Sequence, residues 1–167
     1  LDDLQISLTE DWNLISGISF TIGMGNIIDP SNIIIDGTLY GYNGSYVSSD
    51  NLTPGAGYWL RANTDGDITL SSSQQSSRSI PMINHFSGAN TLEFSNGIHS
   101  STLYFGKDIP EGEDLSYSLP PTFPQMAFDA RFTNNMRYTK DQGEISIINT
   151  NKYLSLSYSV NIHQGNY

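Results

Sequence analysis

Residues 153–162 read Tyr-Leu-Ser-Leu-Ser-Tyr-Ser-Val-Asn-Ile, and this stretch decides the fold class. Apolar side chains occupy every second position from Leu154 to Ile162, and serine or asparagine occupies the positions between them. Successive side chains of a β-strand point to opposite faces, so the stretch predicts a half-buried strand with one apolar face and one polar face.

The same period of two recurs elsewhere in the chain. In Phe128–Phe132 the apolar residues alternate with Asp129 and Arg131, which predicts another half-buried strand. Further strands are predicted at Gly57–Ala62 and at Ile68–Leu70. No segment of helical length has apolar residues spaced three and four apart. The pattern therefore favours an all-β fold.

Two dipeptides predict hairpin turns. Asn96-Gly97 follows the alternating segment Thr91–Ser95, and Asp65-Gly66 separates the two strands predicted in residues 57–70. Both dipeptides are typical of tight turns whose central residues need a positive φ. Short strands joined in this way predict antiparallel sheets packed as a β-sandwich.

A serine-rich run divides the chain into two strand-rich halves. Residues 71–79 contain no apolar side chain, so we expect a linker or a long loop there, with one half at 1–78 and the other at 79–167. Each half has about 80 residues and can bury only a small core. We therefore expect the halves to pack as one unit. The alternative is two small β subdomains joined near this run.

Charge and composition exclude several classes of partner. Seventeen acidic residues and seven basic ones give a formal net charge of -10, which disfavours nucleic acid and anionic lipid. No apolar run approaches the about 20 residues of a membrane span, so membrane insertion is not expected. The chain has no cysteine, which excludes disulfides, thiolate metal sites and a cysteine nucleophile.

Motifs that carry catalysis are missing from the sequence. The chain has no Gly-x-Ser-x-Gly, no Gly-x-Gly-x-x-Gly, no phosphate-binding loop and no His-Glu-x-x-His. Acidic residues for a glycosidase pair are present, but most lie in turn-like contexts where Asp is common. We therefore expect no enzyme activity.

Aromatic residues are abundant, with ten Tyr, seven Phe and two Trp, and they suggest sugar binding. In residues 58–63, alternation sets Trp59, Arg61 and Asn63 opposite an apolar face. An exposed indole can stack on a sugar ring while the cation and the amide bond its hydroxyls. The alternatives are that both faces of the strand are covered, or that Trp59 packs beneath the loop of residues 43–51. We expect Trp12 to belong to the core.

Three tyrosines near the middle of the first half form a second candidate patch. Tyr40, Tyr42 and Tyr46 lie among glycines, and we assign them to sugar binding as a second aromatic patch. The alternative role for these tyrosines is cross-strand packing.

Calcium is the ion that the acidic turns would suit, because it prefers clustered carboxylate and amide oxygens. Asp65 and Asp67 form one candidate loop, and Glu111–Asp114 forms another. Neither matches a complete calcium-loop motif, and ordinary solvated turns are the alternative. No other cofactor is expected.

The first half resembles a module of secreted bacterial proteins. The resemblance rests on the opening Trp-Asn-Leu-Ile-Ser at 12–16, on Gly-Thr-Leu-Tyr-Gly-Tyr at 37–42 and on Pro-Gly-Ala-Gly-Tyr-Trp at 54–59. The second half is similar to a segment that often follows this module in proteins exported by the type IX route of the Bacteroidota and relatives. Its marks are Leu-Tyr-Phe-Gly at 103–106, Tyr-Ser-Leu-Pro-Pro at 117–121 and Phe-Asp-Ala-Arg-Phe at 128–132.

The resemblance implies an accessory β module of a secreted or cell-surface bacterial protein, with no catalytic residues. We expect the chain to be part of a larger protein whose neighbouring domains are its partners. Together with the aromatic residues, this favours a non-catalytic, extracellular carbohydrate-binding module attached to a polysaccharide-active enzyme. The alternative is a structural spacer or adhesion module without a sugar ligand.

Overall fold

The computed structural model describes residues 3–72, 86–122 and 125–160. Regular structure in these residues consists of fifteen β-strands and two short 3-10 turns, Met24–Asn26 and Asp114–Tyr117, with no α-helix. The strands form several sheets in which nearly all neighbours are antiparallel. The predicted all-β, sandwich-like fold class is confirmed.

Contacts divide the chain into two compact units, residues 1–82 and 83–167, here called unit 1 and unit 2. The boundary predicted at 78/79 lies in residues 73–85, outside the described part of the chain. The position of that boundary, and the packing of the halves as one unit, remain predictions.

The described residues of unit 1 form nine strands in three sheets. They are β1 Asp3–Leu8, β2 Asp11–Ser16, β3 Ile22–Gly23, β4 Ile27–Ile28, β5 Tyr40–Tyr42, β6 Tyr46–Ser48, β7 Asn51–Leu52, β8 Gly57–Ala62 and β9 Gly66–Ser71. The sheet orders are β2-β8-β5-β6, β1-β9-β4 and β3-β7.

The core of unit 1 is built from alternating residues of its two central strands. Leu60 and Ala62 on β8 are buried, as are Ile68 and Leu70 on β9, whereas the residues between them are less buried. These side chains belong to one hydrophobic cluster. Burial of each large aliphatic side chain stabilises the fold by about 1.5–3 kcal/mol. The strands predicted here are confirmed.

The hairpin predicted at Asp65-Gly66 is wrong. β8 pairs with β2 and β5, whereas β9 pairs with β1 and β4, so residues 63–65 carry the chain from one sheet to another. The β1–β2 connection makes the same crossing beside it, and the backbone N–H of Glu10 donates to Asp65 Oδ1 at 2.7 Å. Turn chemistry cannot distinguish a hairpin from a crossing of this kind, because both need a tight change of direction.

In the part of unit 2 that the structure describes, there are six strands in two sheets. They are β10 Asn90–Ser95, β11 Ser100–Phe105, β12 Phe128–Phe132, β13 Tyr138–Thr139, β14 Ile145–Asn149 and β15 Ser155–Ser159. The sheet orders are β13-β11-β10-β15 and β12-β14. The hydrophobic cluster of this unit combines residues of β10, β11 and β12.

The hairpin between β10 and β11 is present, but its loop has four residues, 96–99, instead of two. Gly97 has a φ of 85°, and Asn96 does not have a positive φ. Asn96 instead caps the loop, because its Oδ1 accepts hydrogen bonds from the backbone N–H groups of Ile98 at 3.1 Å and His99 at 2.8 Å.

β12 is buried on both faces, which corrects the half-buried strand predicted there. Asp129 and Arg131 are buried as an ion pair in which two guanidinium nitrogens donate to the two carboxylate oxygens, at 2.6 and 3.0 Å. Arg131 also donates to the Pro120 carbonyl at 2.6 Å and to Asn135 Oδ1 at 3.2 Å. The polar face of β12 therefore ties two loops to the strand.

The strand predicted at 153–162 is confirmed over Ser155–Ser159, but its expected burial is wrong. Leu156 is 56% exposed and Tyr158 is 74% exposed, although both lie on the apolar face. The reason is that the hydrophobic cluster of unit 2 lies over β10, β11 and β12 and includes no residue of β15. Ile162 lies outside the described residues.

Candidate functional site

The candidate site begins with strand β8, whose two faces have different roles. Tyr58, Leu60 and Ala62 face the core, and Trp59 and Arg61 lie on the opposite face, as alternation predicts. Trp59 is half-buried, so part of its indole is accessible. The local sequence therefore fixes the face on which Trp59 lies.

The neighbouring strands add aromatic rings to the face of Trp59. Directly opposed residues on paired strands share a face, and Tyr40 on β5 lies opposite Trp59. Tyr42 is on the same side as Tyr40, two residues along, and Tyr46 on β6 lies opposite Tyr42. On the other side of β8, Trp12 of β2 lies opposite Arg61. We call this surface the aromatic face; its rings are Trp12, Tyr40, Tyr42, Tyr46 and Trp59.

Four rings of the aromatic face contact one another. The centroids of Trp12 and Tyr40 are 6.0 Å apart, those of Tyr40 and Tyr46 are 6.3 Å apart, and those of Tyr42 and Tyr46 are 5.7 Å apart. Tilted and edge-to-face pairs at these distances are favourable. Tyr40 is only 1% exposed and supports the others, whereas Tyr42 is 46% exposed. The structure thus brings the three predicted tyrosines together with Trp59.

Arg61 is held in place at the edge of the aromatic face. Its Nε lies 2.8 Å from Asp11 Oδ1, and its Cζ lies 5.8 Å from the centroid of the Trp12 ring. A guanidinium has five N–H donors in a rigid plane, so an arginine that forms one ion pair can still present donors to a ligand. Arg61 is therefore a preorganised cation beside the rings.

Trp12 is the residue that sequence analysis placed wrongly. It is half-buried, lies on the aromatic face and is outside the hydrophobic cluster of unit 1. Leu14, on the same strand and face, lies opposite Trp59 and is 64% exposed. The alternation of Trp12 and Leu14 about Asn13 was visible in the sequence, but the pairing of β2 with β8 was not.

Asn63 lies one residue beyond β8, and its described hydrogen bonds join it to residues outside the aromatic face. Its backbone N–H donates to the carbonyl of Ile33 at 2.8 Å, and its side-chain amide donates to the carbonyl of Asn32 at 3.4 Å. Its predicted role as a ligand for sugar hydroxyls remains a prediction.

The acidic turn proposed for calcium uses its carboxylates within the protein. Asp67 accepts hydrogen bonds from Ser7 Oγ at 2.5 Å and from Gln5 Nε2 at 3.0 Å, and Asp65 accepts the backbone N–H of Glu10. Within residues 3–72, 86–122 and 125–160, no three His, Asp or Glu side chains are grouped closely enough to hold a metal ion. Calcium at Asp65 and Asp67 remains a prediction.

A second aromatic cluster, in unit 2, serves packing. Phe86 stacks on Tyr104 with centroids 3.8 Å apart and planes 4° apart, and it also contacts Tyr117 and Tyr138, both of which are buried. The Tyr138 hydroxyl donates to the carbonyl of Lys107. Burial raises the pKa of Tyr138 above its ordinary value of 10.0, and the charge of a nearby aspartate raises it further.

Comparison with known proteins finds no matching family model, no matching curated protein and no matching solved structure. The resemblance to accessory modules of secreted bacterial proteins therefore remains a prediction. None of the helical turns in the described part of the chain is long and apolar enough to cross a membrane.

Proposed function

We propose that the chain is a non-catalytic, extracellular accessory module that binds a polysaccharide on the aromatic face of unit 1. One observation carries the proposal: five aromatic rings from four strands lie on the sheet face opposite the side chains of the hydrophobic cluster, beside an arginine paired with Asp11. Its expected setting is a secreted or cell-surface bacterial protein with a polysaccharide-active domain.

The physical basis of binding is stacking on exposed rings. Sugar rings present C–H faces that pack against indole and phenol rings, and a cation or amide at the edge bonds their hydroxyls. Tyr42 and the accessible part of Trp59 provide the stacking surface, and Arg61 provides the donors. Rings spread over four neighbouring strands suit an extended chain better than a small buried sugar.

Charge narrows the class of polysaccharide. The protein has a net charge of -10 and only seven basic residues, so a polyanionic glycan would be repelled at long range. Arg61 is itself neutralised in part by Asp11 at 2.8 Å. These charges favour a neutral polysaccharide over a sulfated or uronate-rich one.

The test is a binding screen of the full chain against neutral and acidic polysaccharides, followed by Tyr42→Ala and Trp59→Ala on the best ligand. Loss of one stacking ring is expected to weaken binding by about 5- to 150-fold, corresponding to about 1–3 kcal/mol, by analogy with bases stacked on aromatic side chains. Tyr153→Ala in unit 2, where the ring is 60% exposed, is the matched control and should leave the affinity unchanged.

Melting curves of the same variants separate binding from folding. Tyr42→Ala should retain a nearly unchanged melting midpoint, because much of the ring is exposed. Two results together would contradict the proposal. One is that no polysaccharide in the screen binds. The other is that Trp59→Ala lowers the free energy of unfolding by the about 3–5 kcal/mol typical of a core aromatic.

A structural or adhesion module without a sugar ligand is the second candidate function. The observation that favours it is the uncovered apolar face of β15 in unit 2, since exposed apolar strips mark sites of association. The polysaccharide screen distinguishes the two candidates, because only the first requires that the aromatic face bind sugar.

A further inference from the structure

Strand β15 has an unusual combination of edge and face. Among the described residues its only strand neighbour is β10, and no other described strand pairs with its second edge, here called the open edge. Leu156 and Tyr158 in the strand are 56% and 74% exposed, and Leu154 and Val160, which flank it in the same alternating pattern, are 45% and 56% exposed.

The open edge has none of the features that usually prevent pairing with another chain. Natural edge strands are often protected by charges, proline or bulges. Residues 153–160 contain no charged side chain and no proline. By contrast, the edge strands β1 and β2 of unit 1 contain Asp3 and Asp11.

We infer that two copies of this chain pair antiparallel along β15, around a two-fold axis that passes through Ser157. This inference does not depend on the proposed sugar binding, because it concerns a different surface in the other unit. The resulting dimer would extend the sheet of unit 2 across the axis, from β10 and β15 of one copy to β15 and β10 of the other.

The sequence of β15 is complementary to itself in this register. With the axis at Ser157, Leu156 lies opposite Tyr158 of the second copy, and Leu154 lies opposite Val160 of the second copy. The serines face one another on the other side of the sheet, Ser155 opposite Ser159 of the second copy. A shift by one residue would set Leu156 and Tyr158 against serines, so the period of two excludes odd shifts. Among the even registers, an axis at Ser157 pairs all four of these apolar side chains with one another.

The charges near the strand allow two copies to approach despite the net charge of -10. The nearest acidic residue on a paired strand is Glu93 of β10, which lies opposite Ser157. In the dimer the two copies of Glu93 would be separated by three interstrand spacings of about 4.8 Å, about 14 Å in all. This exceeds the Debye length of about 8 Å at physiological ionic strength, so their repulsion is largely screened.

The size of the strip predicts a weak association. A five-residue strand is about 17 Å long, and its exposed side chains bury less than the about 800 Å² per partner of a standard interface. We therefore expect a dissociation constant on the order of 10 µM or weaker, and a two-fold arrangement, which is the commonest symmetry of homodimers.

Cysteine cross-linking tests both the dimer and its register, because the chain has no native cysteine. In Ser157→Cys the two sulfur-bearing residues would lie opposite each other, with Cα atoms about 4.5–5.5 Å apart, which suits a disulfide. Ser159→Cys is the matched control, since its two copies would be offset by four residues, about 14 Å. We expect a cross-linked dimer from Ser157→Cys under mild oxidation and little from Ser159→Cys.

Sedimentation of the uncrosslinked full chain gives the second measurement. The wild-type protein should dimerise with increasing concentration, and Tyr158→Lys should weaken the dimer by at least about tenfold through like charges across the axis. Ile98→Lys adds the same charge at a residue that is 75% exposed in the β10–β11 loop and should leave the dimer intact. A monomer at all concentrations, equal cross-linking of the two cysteine variants, or equal dissociation by both lysine variants would each overturn the inference.

Discussion

The buried ion pair of β12 gives the sharpest prediction about stability. Replacing Arg131 with Met leaves the Asp129 carboxylate buried without its two guanidinium donors, since Asp129 is only 6% exposed. Breaking a buried pair by removing one partner costs about 3–5 kcal/mol. For a domain of this size, each kcal/mol lowers the melting midpoint by about 4–8 °C. We expect the transition that reports unit 2 to fall by more than about 10 °C.

The double variant Asp129→Leu/Arg131→Met should be more stable than the single variant Arg131→Met. Replacing both partners with apolar side chains removes the uncompensated charge, and such replacements are often neutral or stabilising. The recovery should be incomplete, because the Pro120 carbonyl loses the donor that lies 2.6 Å away, at a cost of about 1–3 kcal/mol.

The assay is thermal denaturation followed by two probes. Both tryptophans, Trp12 and Trp59, lie in unit 1, so tryptophan fluorescence reports that unit, whereas far-UV circular dichroism reports both units. Arg61→Met is the matched control: it removes an arginine from a partly exposed pair and should cost no more than about 1 kcal/mol. Either of two results would refute the reasoning about the buried pair. One is that Arg131→Met lowers stability no more than Arg61→Met does. The other is that Asp129→Leu/Arg131→Met is less stable than Arg131→Met.

Three further predictions concern other parts of the chain. The folded state holds the Tyr138 proton more tightly than the unfolded state, so stability should fall as pH rises above about 10. Tyr138→Phe should lack this part of the decline when melting midpoints are measured against pH. Parallel curves for the two proteins would contradict the assignment. If calcium binds at Asp65 and Asp67, the melting midpoint should be higher in millimolar calcium than in a chelator, and Asp65→Asn should abolish this difference. Identical midpoints of the wild type in the two conditions would count against the site. Asn96→Ala removes the acceptor of two backbone N–H groups in the β10–β11 loop and should cost about 1–3 kcal/mol in denaturant titrations, whereas an unchanged midpoint would mean that solvent replaces the cap.

Some features of the candidate site could be predicted from residues 58–63 alone. Successive side chains on a strand must point to opposite faces, so Trp59 and Arg61 had to lie opposite Tyr58, Leu60 and Ala62. This is a local property of the extended backbone, and it holds whatever the strand pairs with. The tyrosines of β5 and β6 were also recognised, although their place beside Trp59 was not determined by their own sequence.

Features that depend on distant pairing could not be predicted. Trp12 joins the aromatic face because β2 pairs with β8 across more than forty residues, with Trp12 opposite Arg61. Likewise, Asp65-Gly66 has the chemistry of a hairpin, but β8 and β9 pair with different strands in different sheets. A tight turn specifies a change of direction, whereas the partner of each strand is set by the whole packing arrangement.

The contrast between β8 and β15 shows which feature of a strand its own sequence does not determine. Both strands alternate apolar and polar residues, and in both the sequence alone determined which side chains share a face. Only the tertiary structure decided which face is covered: a second sheet and its hydrophobic cluster bury Leu60, whereas no cluster covers Tyr158. The physical reason is that alternation is fixed by the geometry of one strand, while burial requires another surface to be packed against it.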